Sequence, residues 1–150
     1  MRTDRTVDGM AAIPLGREDR IKYLELIQAV IARLANNSFF MKGWGLTVTG
    51  AIYGFAASDL NWRVSAVGLL PALAFWFLDS YFLRQERMFR RLYEDARHLD
   101  DRVDVFSLDI RRYVEKEPWL PVVFSMTLAP FYGLVLCAGL ALTLIAAYAI

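Results

Sequence analysis

The chain has 150 residues, of which 57% are hydrophobic and 22% are charged, with a formal net charge of +1 and a mean hydropathy of +0.33. The two classes are segregated along the sequence, and residues 121–150 contain no Asp, Glu, Lys, Arg or His. A bilayer core needs about 20 apolar residues per helical span. The pattern therefore predicts a membrane protein and argues against a soluble domain.

The N-terminal part of the sequence is expected to lie outside the membrane. Residues 1–17 are polar and show no period, which indicates a flexible tail. Residues 18–38 are predicted to form an amphipathic helix, because apolar residues recur at steps of three and four from Ile21 to Leu34. We expect its apolar face to pack on another cytoplasmic segment or to lie on lipid headgroups. A pore mouth and a groove for a partner are the alternatives.

Three apolar runs predict three transmembrane helices. Residues 39–82 form a hairpin of two runs that are separated only by a short polar link, and the second run is long enough only if it continues through Asp79 to Phe82. Residues 121–150 supply the third span. Pro130 predicts either a kink in it or a short interfacial helix followed by a span from Phe131. The intervening segment 83–120 is expected to be cytoplasmic and helical.

The distribution of Lys and Arg predicts the orientation. Residues 1–43 hold seven of these residues, the link at 58–63 holds one, and residues 83–120 hold nine. The positive-inside rule therefore places the N-terminus and the 83–120 segment in the cytoplasm. The hairpin tip and the C-terminus fall on the far side.

One charged residue interrupts each run of the hairpin, Lys42 in the first and Asp79 in the second. Both lie equally far along the chain from the centre of the link, roughly 28 Å at a rise of about 1.5 Å per residue. They are expected at one depth near the cytoplasmic boundary, where opposite charges favour each other's ionised form. We predict an ion pair that locks the register of the hairpin. The alternative is a pair at the inner mouth of a pore that rearranges on gating.

The helix that follows the second span combines arginines with aromatic and acidic residues. One interpretation is headgroup contact with internal salt bridges, such as Glu86–Arg90 and Arg90–Glu94. The other is a site for an anionic or nucleotide ligand, because arginine forks match phosphate oxygens and aromatic faces stack on bases. The candidate ligand-binding residues are Arg84, Arg87, Arg90, Arg91, Phe89 and Tyr93.

Small residues within the spans predict close helix packing. Gly50 and Gly54 form a GxxxG motif in the first span, and Gly133 begins a similar row in the last. Small residues at these steps let helix backbones approach closely. The packing could be within one chain or between chains.

Catalysis is not expected. The sequence has a single histidine, His98, and a single cysteine, Cys137, and it lacks a Gly-rich phosphate loop, a nucleophile elbow and the spacing of a metal site. We predict neither a catalytic residue nor a metal ligand nor a cofactor.

Two stretches, "NNSFFMKGWGLT" (Asn36 to Thr47) and "FLDSYFLRQERMFRRLY" (Phe77 to Tyr93), resemble small multi-pass bacterial membrane proteins that are found in antiviral operons beside a nucleotidyltransferase. The family that they resemble is the membrane effectors of the Hailong defence system. The resemblance covers roughly residues 20–95. It implies an oligomeric ion channel in the inner membrane whose state is set by a nucleotide-derived oligomer. The residues carried over are Asn37, Ser38, Lys42 and Trp44 from the first stretch and Asp79, Tyr81, Glu86, Arg87, Arg90 and Tyr93 from the second.

We therefore predict an all-α membrane protein with three transmembrane helices, a hairpin plus a C-terminal span, and a cytoplasmic helical layer. Three helices are too few to enclose a water-filled path, so a channel needs several copies around an axis, with a tetramer favoured. The expected function is a gated homo-oligomeric ion channel that depolarises the bacterial inner membrane in antiviral defence. The candidate pore-lining residues are Thr47, Thr49, Ser58 and Thr143. The alternative is a non-conducting scaffold or accessory subunit that tethers a cytoplasmic partner through the apolar stripe of residues 18–34.

Overall fold

The computed structural model describes residues 16–98 and 106–149, and within these ranges the chain contains helices and no strand. The predicted all-helical class is confirmed. The expected flexible tail at residues 1–17 lies almost entirely outside the described residues. The four α-helices are α1 (Arg17–Ser58), α2 (Trp62–Arg97), α3 (Trp119–Val123) and α4 (Ala129–Tyr148), and a 3-10 helix at Arg111–Tyr113 precedes α3.

α1 and α2 form the predicted hairpin, but α1 is one unbroken helix of 42 residues. The amphipathic helix at 18–38 and the first span are therefore one element, because no proline interrupts the sequence from Arg17 to Ser58. The chain turns at Leu60, which adopts a left-handed conformation with φ of 46°. Asn61 then caps α2, since its side-chain oxygen accepts hydrogen bonds from the backbone N–H groups of Arg63 and Val64.

The two long helices are antiparallel and keep one register along their whole length. Near the tip, Gly68 faces Tyr53, and a Cβ added at Gly68 would lie 2.6 Å from the tyrosine ring. At the opposite end, the Gln28 Nε2 donates to the Tyr93 hydroxyl at 3.1 Å. In both pairs the two partners lie equally far along the chain from the tip. We call the end where α1 begins and α2 ends the open end of the hairpin.

The apolar stripe of α1 packs on α2 at the open end. Ile27 is fully buried there, and Leu24 and Ile31 pack beside it against Met88 and Leu92. Of the two expected partners, another segment of the chain and lipid headgroups, the stripe therefore packs on the segment that follows the second apolar run, and the cytoplasmic position of both stays a prediction. The buried cluster comprises Tyr23, Ile27, Met88, Leu92, Ala96 and Tyr113.

The segment between α2 and α3 departs from the prediction that residues 83–120 are helical. α2 continues to Arg97, but the described residues after Phe106 form only a 3-10 turn before α3. The Ser107 hydroxyl accepts a hydrogen bond from the backbone N–H of Asp109, whose carboxylate accepts one from that of Arg111. Such local side-chain bonds favour turns over helix.

The predicted C-terminal segment, residues 121–150, is divided in two. α3 is a helix of five residues, and the chain turns at 124–128 before α4 begins at Ala129. Pro130 lies in the first turn of α4, where a missing backbone N–H is tolerated. The structure therefore has the arrangement in which a short helix precedes the apolar helix. Since Tyr132 contacts Asp79 and Gly139 contacts Ser65, α4 runs antiparallel to α2.

Two of the described helices, α2 and α4, are long and apolar enough to cross a membrane by length and composition. α1 is not among them, although the sequence predicted a span at its second half. Lys42, the glycines and Tyr53 lower the hydropathy of that part. The described residues leave many large apolar side chains exposed, which is unusual for the surface of a soluble monomer.

Candidate functional site

Asp79 of α2 is fully buried, and its carboxylate binds side chains of the two other long helices, α1 and α4. The Lys42 ammonium lies 2.6 Å from Asp79 Oδ2, so the predicted pair is present. Ser38, one turn before Lys42 on α1, donates its hydroxyl to Asp79 Oδ1. Tyr132 of α4 donates its hydroxyl to Asp79 Oδ2 at 3.1 Å. We call these four residues the Asp79 network.

Only one member of the Asp79 network reaches the surface. The Lys42 side chain is 20% exposed and that of Asp79 is 0% exposed. Lys42 also donates to the Ser38 hydroxyl at 2.9 Å, so the ammonium bridges two members of the network. A buried charge that is both paired and hydrogen-bonded is the arrangement that a low-dielectric site requires.

Trp76 connects the Asp79 network to the end of α3. Its ring stacks on Tyr132 with centroids 6.1 Å apart, and its indole N–H donates to the Val123 carbonyl at 3.0 Å. The position of Tyr132 beside Asp79 therefore depends on where α3 lies against α2.

Two of the predicted ligand-binding arginines bind the segment that leads into α3. Arg84 donates to the backbone carbonyls of Glu117 and Val114, at 2.7 and 3.1 Å, and its guanidinium lies over the Trp119 ring. The Arg91 Nε lies 2.6 Å from the Glu117 carboxylate. We call residues 106–118 the strap, since these contacts hold it across α2.

The strap also carries an exposed ion pair of its own. Arg111 donates to the Asp109 carboxylate at 2.8 to 3.0 Å. The hydrogen bond from the Arg111 side chain lowers the pKa of Asp109 to about 2, with its backbone N–H acting in the same direction. Because both groups are exposed, this pair orders the strap locally and contributes little to the fold.

The remaining two arginines lie beyond the strap. Arg90 pairs with the largely buried Glu86 at 2.6 Å, as predicted, and not with Glu94. Arg87 is half-buried and forms no hydrogen bond or ion pair with another residue in the described ranges. Of the four arginines, Arg87 is therefore the one whose guanidinium has no hydrogen-bond or ion-pair partner among the described residues. We call Arg84, Arg87, Arg90 and Arg91 the arginine stripe.

The two predicted stacking residues differ in how open they are. Phe89 is half-buried against the apolar cluster of the open end, so its ring is not a free platform. Tyr93 also packs there, but it lines a groove of about 610 Å³ between α1 and α2. The α2 side of this groove carries Arg90, Tyr93 and Glu94, and the α1 side is mainly apolar. The structure therefore brings one arginine and one aromatic side chain together at an open surface.

The predicted pore-lining residues fall into two groups. Thr47 and Ser58 are exposed on α1, where each donates its hydroxyl to a backbone carbonyl of its own helix. Thr49 is fully buried, and Thr143 is half-buried and hydrogen-bonded to Ser65. Thr49 and Thr143 thus lie wholly or partly between α1, α2 and α4, which we call the three-helix unit, whereas Thr47 and Ser58 face outward. That any of the four lines a pore stays a prediction.

The predicted packing glycines do not mediate packing within the chain. A Cβ added at Gly50, Gly54 or Gly133 would meet nothing within 4 Å. The close approaches occur instead at Gly68 and Gly139, both of which accommodate Tyr53, and at Gly45, which accommodates Phe75. The reading of Gly50 and Gly54 as contacts within one chain is wrong, because this face of α1 points outward.

Sequence reasoning missed the partners that come from distant parts of the chain. Tyr132 stands in an apolar run and Glu117 in a mixed segment, and neither carries a local signal of its contact. Only the antiparallel placement of α4 and the path of the strap bring them to Asp79 and Arg91.

No family model, no curated protein and no solved structure matches the chain. Within the described ranges, no three His, Cys, Asp or Glu side chains cluster as a metal site would need.

Proposed function

We propose that the protein is a gated, homo-oligomeric ion channel of the bacterial inner membrane, controlled by a nucleotide-derived oligomer and acting as a depolarising effector in antiviral defence. The observation that carries the proposal is that α2 runs without a break from the arginine stripe to the Asp79 network. Arg87 and Asp79 are about 12 Å apart along this helix at about 1.5 Å per residue. A ligand that moves the stripe therefore also moves the buried ion pair.

The proposed topology has three spans. The second half of α1 packs in register along the apolar half of α2, and its outward face carries exposed Phe40, Trp44 and Phe55. Exposed apolar side chains of this size favour a membrane environment for α1 as well as for α2 and α4, in which lipid or a second copy of the chain covers them. The distribution of Lys and Arg favours a cytoplasmic open end and a tip on the far side.

Assembly is supported by the outward face of α1. Its small residues lie at steps of three and four and are exposed, so a second helix could approach its backbone closely. They are Gly43, Thr47, Gly50, Ala51 and Gly54. A ring of copies, with a tetramer favoured, would line its axis with Thr47 and Ser58, the two candidates that point outward.

The arginine stripe and the groove beside Tyr93 are the proposed ligand site. Arg87 has no partner among the described residues, and Arg90 and Tyr93 share the open groove. Arginine binds phosphate oxygens in a bidentate manner, and a tyrosine ring stacks on a base. The resemblance of the two sequence stretches to Hailong effectors favours an oligonucleotide over other anions.

The scaffold alternative is less well supported. It needs the apolar stripe of residues 18–34 to be free for a partner, but Ile27 and its neighbours are covered by α2. Ile21 and Leu26 remain exposed, which leaves a much smaller apolar surface.

The test is ion flux through purified protein in liposomes, with and without short single-stranded oligonucleotides. We expect wild-type flux to respond to the oligonucleotide, and Asp79→Ala to change that response. The matched control is Asp59→Ala, which removes an exposed carboxylate at the hairpin tip. Absence of flux under every condition, from protein shown to be folded and inserted, would overturn the channel proposal.

A further inference from the structure

Hydroxyl groups gather inside the three-helix unit near the hairpin tip. Ser65 is fully buried and donates to the Gly139 carbonyl at 3.2 Å. Thr143 donates to the same carbonyl at 2.7 Å and lies 2.9 Å from the Ser65 hydroxyl. A polar pair is thus shared between α2 and α4 within an apolar region.

Two further hydroxyls, both on α1, are buried without a partner among the described residues. Thr49 Oγ1 and the Tyr53 hydroxyl are buried and form no hydrogen bond with a described residue. The Tyr53 hydroxyl lies directly over Gly139, where an added Cβ would collide with it. Thr49 is one turn away on the same face of α1 and is fully buried. We call Thr49, Tyr53, Ser65 and Thr143 the hydroxyl cluster, whose members extend over about 10 Å along the hairpin at about 1.5 Å per residue.

Buried hydroxyls without a protein partner are the groups that an ordered water would bind. Buried polar groups are bonded in nearly all proteins, to protein or to ordered water. In the hydroxyl cluster, the hydroxyls of α2 and α4 are hydrogen-bonded, whereas the two hydroxyls of α1 have no partner among the described residues. Water molecules that bridge the two sides would complete its hydrogen bonds.

The hydroxyl cluster and the Asp79 network lie in line along the hairpin, separated by one apolar layer. By the common register, Thr49 is about 10 Å and Ser65 about 21 Å from the level of Asp79, at about 1.5 Å per residue. Between the two groups, the Phe75 ring packs on Gly45, where an added Cβ would lie 3.0 Å from the Phe75 Cβ. Phe75 therefore packs against α1 at a level between the two polar groups.

We propose that each protomer carries an internal proton route, from the Asp79 network through the hydroxyl cluster to the hairpin tip, that Phe75 closes. Lys42, whose side chain is 20% exposed, is the member of the network that reaches the surface at one end. Ser65 lies one turn from Asn61 of the exposed tip at the other. When Phe75 swings aside, water joins Asp79 to Thr49 and completes the path.

Protons can cross such a path without a pore. Each water or hydroxyl accepts a proton on an oxygen lone pair and releases its own proton to the next oxygen. No bond change remains after the groups reorient, and the membrane potential supplies the driving force. Three close-packed helices leave no room for a hydrated metal ion, so the route is specific for protons.

The inference rests on the proposed three-span topology, but not on the oligomeric pore or its ligand. A pore between copies would pass salt ions along the outward faces of α1. The internal route passes protons along its inward face. Separate measurements of proton and potassium flux therefore distinguish failure of one proposal from failure of the other.

The test uses the full chain in liposomes that contain a pH-sensitive dye, under a potassium potential set by valinomycin. We expect Phe75→Ala to raise proton flux several-fold over wild type, because it removes the apolar layer. Adding Thr49→Val, which keeps the shape and removes the hydroxyl, should return the flux to the wild-type level. Potassium flux, measured without valinomycin, should not change in either variant.

The matched control is Phe77→Ala, on the same helix, whose side chain is 57% exposed. It should leave proton flux at the wild-type level. If Phe75→Ala fails to fold, Phe75→Leu keeps most of the packing and should give a smaller increase. Proton flux equal to that of the Phe77→Ala control in every folded Phe75 variant would overturn the inference. Equal gains in proton and potassium flux would overturn it too, since they would indicate a wide pore.

Discussion

Neutralising Lys42 and neutralising Asp79 should destabilise the protein by different amounts. Lys42→Met removes the one cation that contacts Asp79 among the described residues, and the carboxylate stays fully buried with two hydroxyl donors. Breaking a buried pair by removing one partner destabilises a protein by about 3–5 kcal/mol. Because the Asp79 side chain is 0% exposed and cannot reach water without moving α2, we expect Lys42→Met to fall within that range.

Neutralising Asp79 while Lys42 is kept should destabilise the protein less. In Asp79→Asn the amide retains an oxygen that can accept from Ser38, and the Lys42 ammonium, already 20% exposed, can extend toward water. We expect Asp79→Asn to lower the free energy of unfolding by about 1–3 kcal/mol, which is the usual cost of losing hydrogen bonds at a buried polar site. The double variant Lys42→Met/Asp79→Leu replaces the pair by apolar side chains, and we expect it to recover most of the stability lost in Lys42→Met.

The measurement is equilibrium unfolding in mixed detergent micelles, followed by the loss of helical circular dichroism. Asp59→Asn, at the exposed tip, is the control for an amide substitution and should match wild type. Two results would refute the reasoning. One is a Lys42→Met protein within about 1 kcal/mol of wild type, and the other is an Asp79→Asn protein less stable than Lys42→Met. Either would mean that Asp79 is not held as a buried carboxylate by Lys42.

Two further predictions follow from the glycines and from the strap. Gly139→Ala should destabilise the protein by about 1–3 kcal/mol, because the new Cβ overpacks Tyr53. Gly50→Ala, with open space around its Cβ, is the control in the same detergent unfolding assay. A Gly139→Ala protein as stable as Gly50→Ala would contradict the packing described. Glu117→Gln should tighten binding of a labelled oligonucleotide in fluorescence anisotropy, because the Glu117 carboxylate no longer competes for Arg91. Unchanged or weaker binding would contradict this competition.

The sequence predicted the hairpin and its ion pair because both depend on local regularity. A rigid helix fixes the depth of a residue from its distance along the chain, so equal spacing from the link placed Lys42 level with Asp79. The same geometry accounts for Gln28 and Tyr93 at the open end. The continuity of α1 through residues 36–40 was not predicted, because a change from amphipathic to apolar character resembles a boundary although nothing in the backbone requires one.

Contacts with α4 and the strap could not be predicted in the same way. The residues that link the third helix to the hairpin have no fixed spacing from their partners, since the chain between them turns several times. The packing glycines show the same limit. A GxxxG motif indicates a helix face that can pack closely, but it does not identify the partner of that face. In this chain the close contacts are at Gly68 and Gly139, because the Tyr53 side chain lies where a Cβ of either residue would be. Gly50 and Gly54 were left facing outward.

The form of the Asp79 network favours a role beyond holding the hairpin together. A buried ion pair is often no more stabilising than well-packed apolar side chains of similar volume. The register that it was predicted to lock is also set by apolar contacts, namely Phe75 on Gly45 and Tyr53 on Gly68. If register were the only requirement, an apolar pair at these two positions would meet it without buried charges. An ion pair whose two charges can separate, beside a hydroxyl from α4, is suited to a site that switches between two conformations.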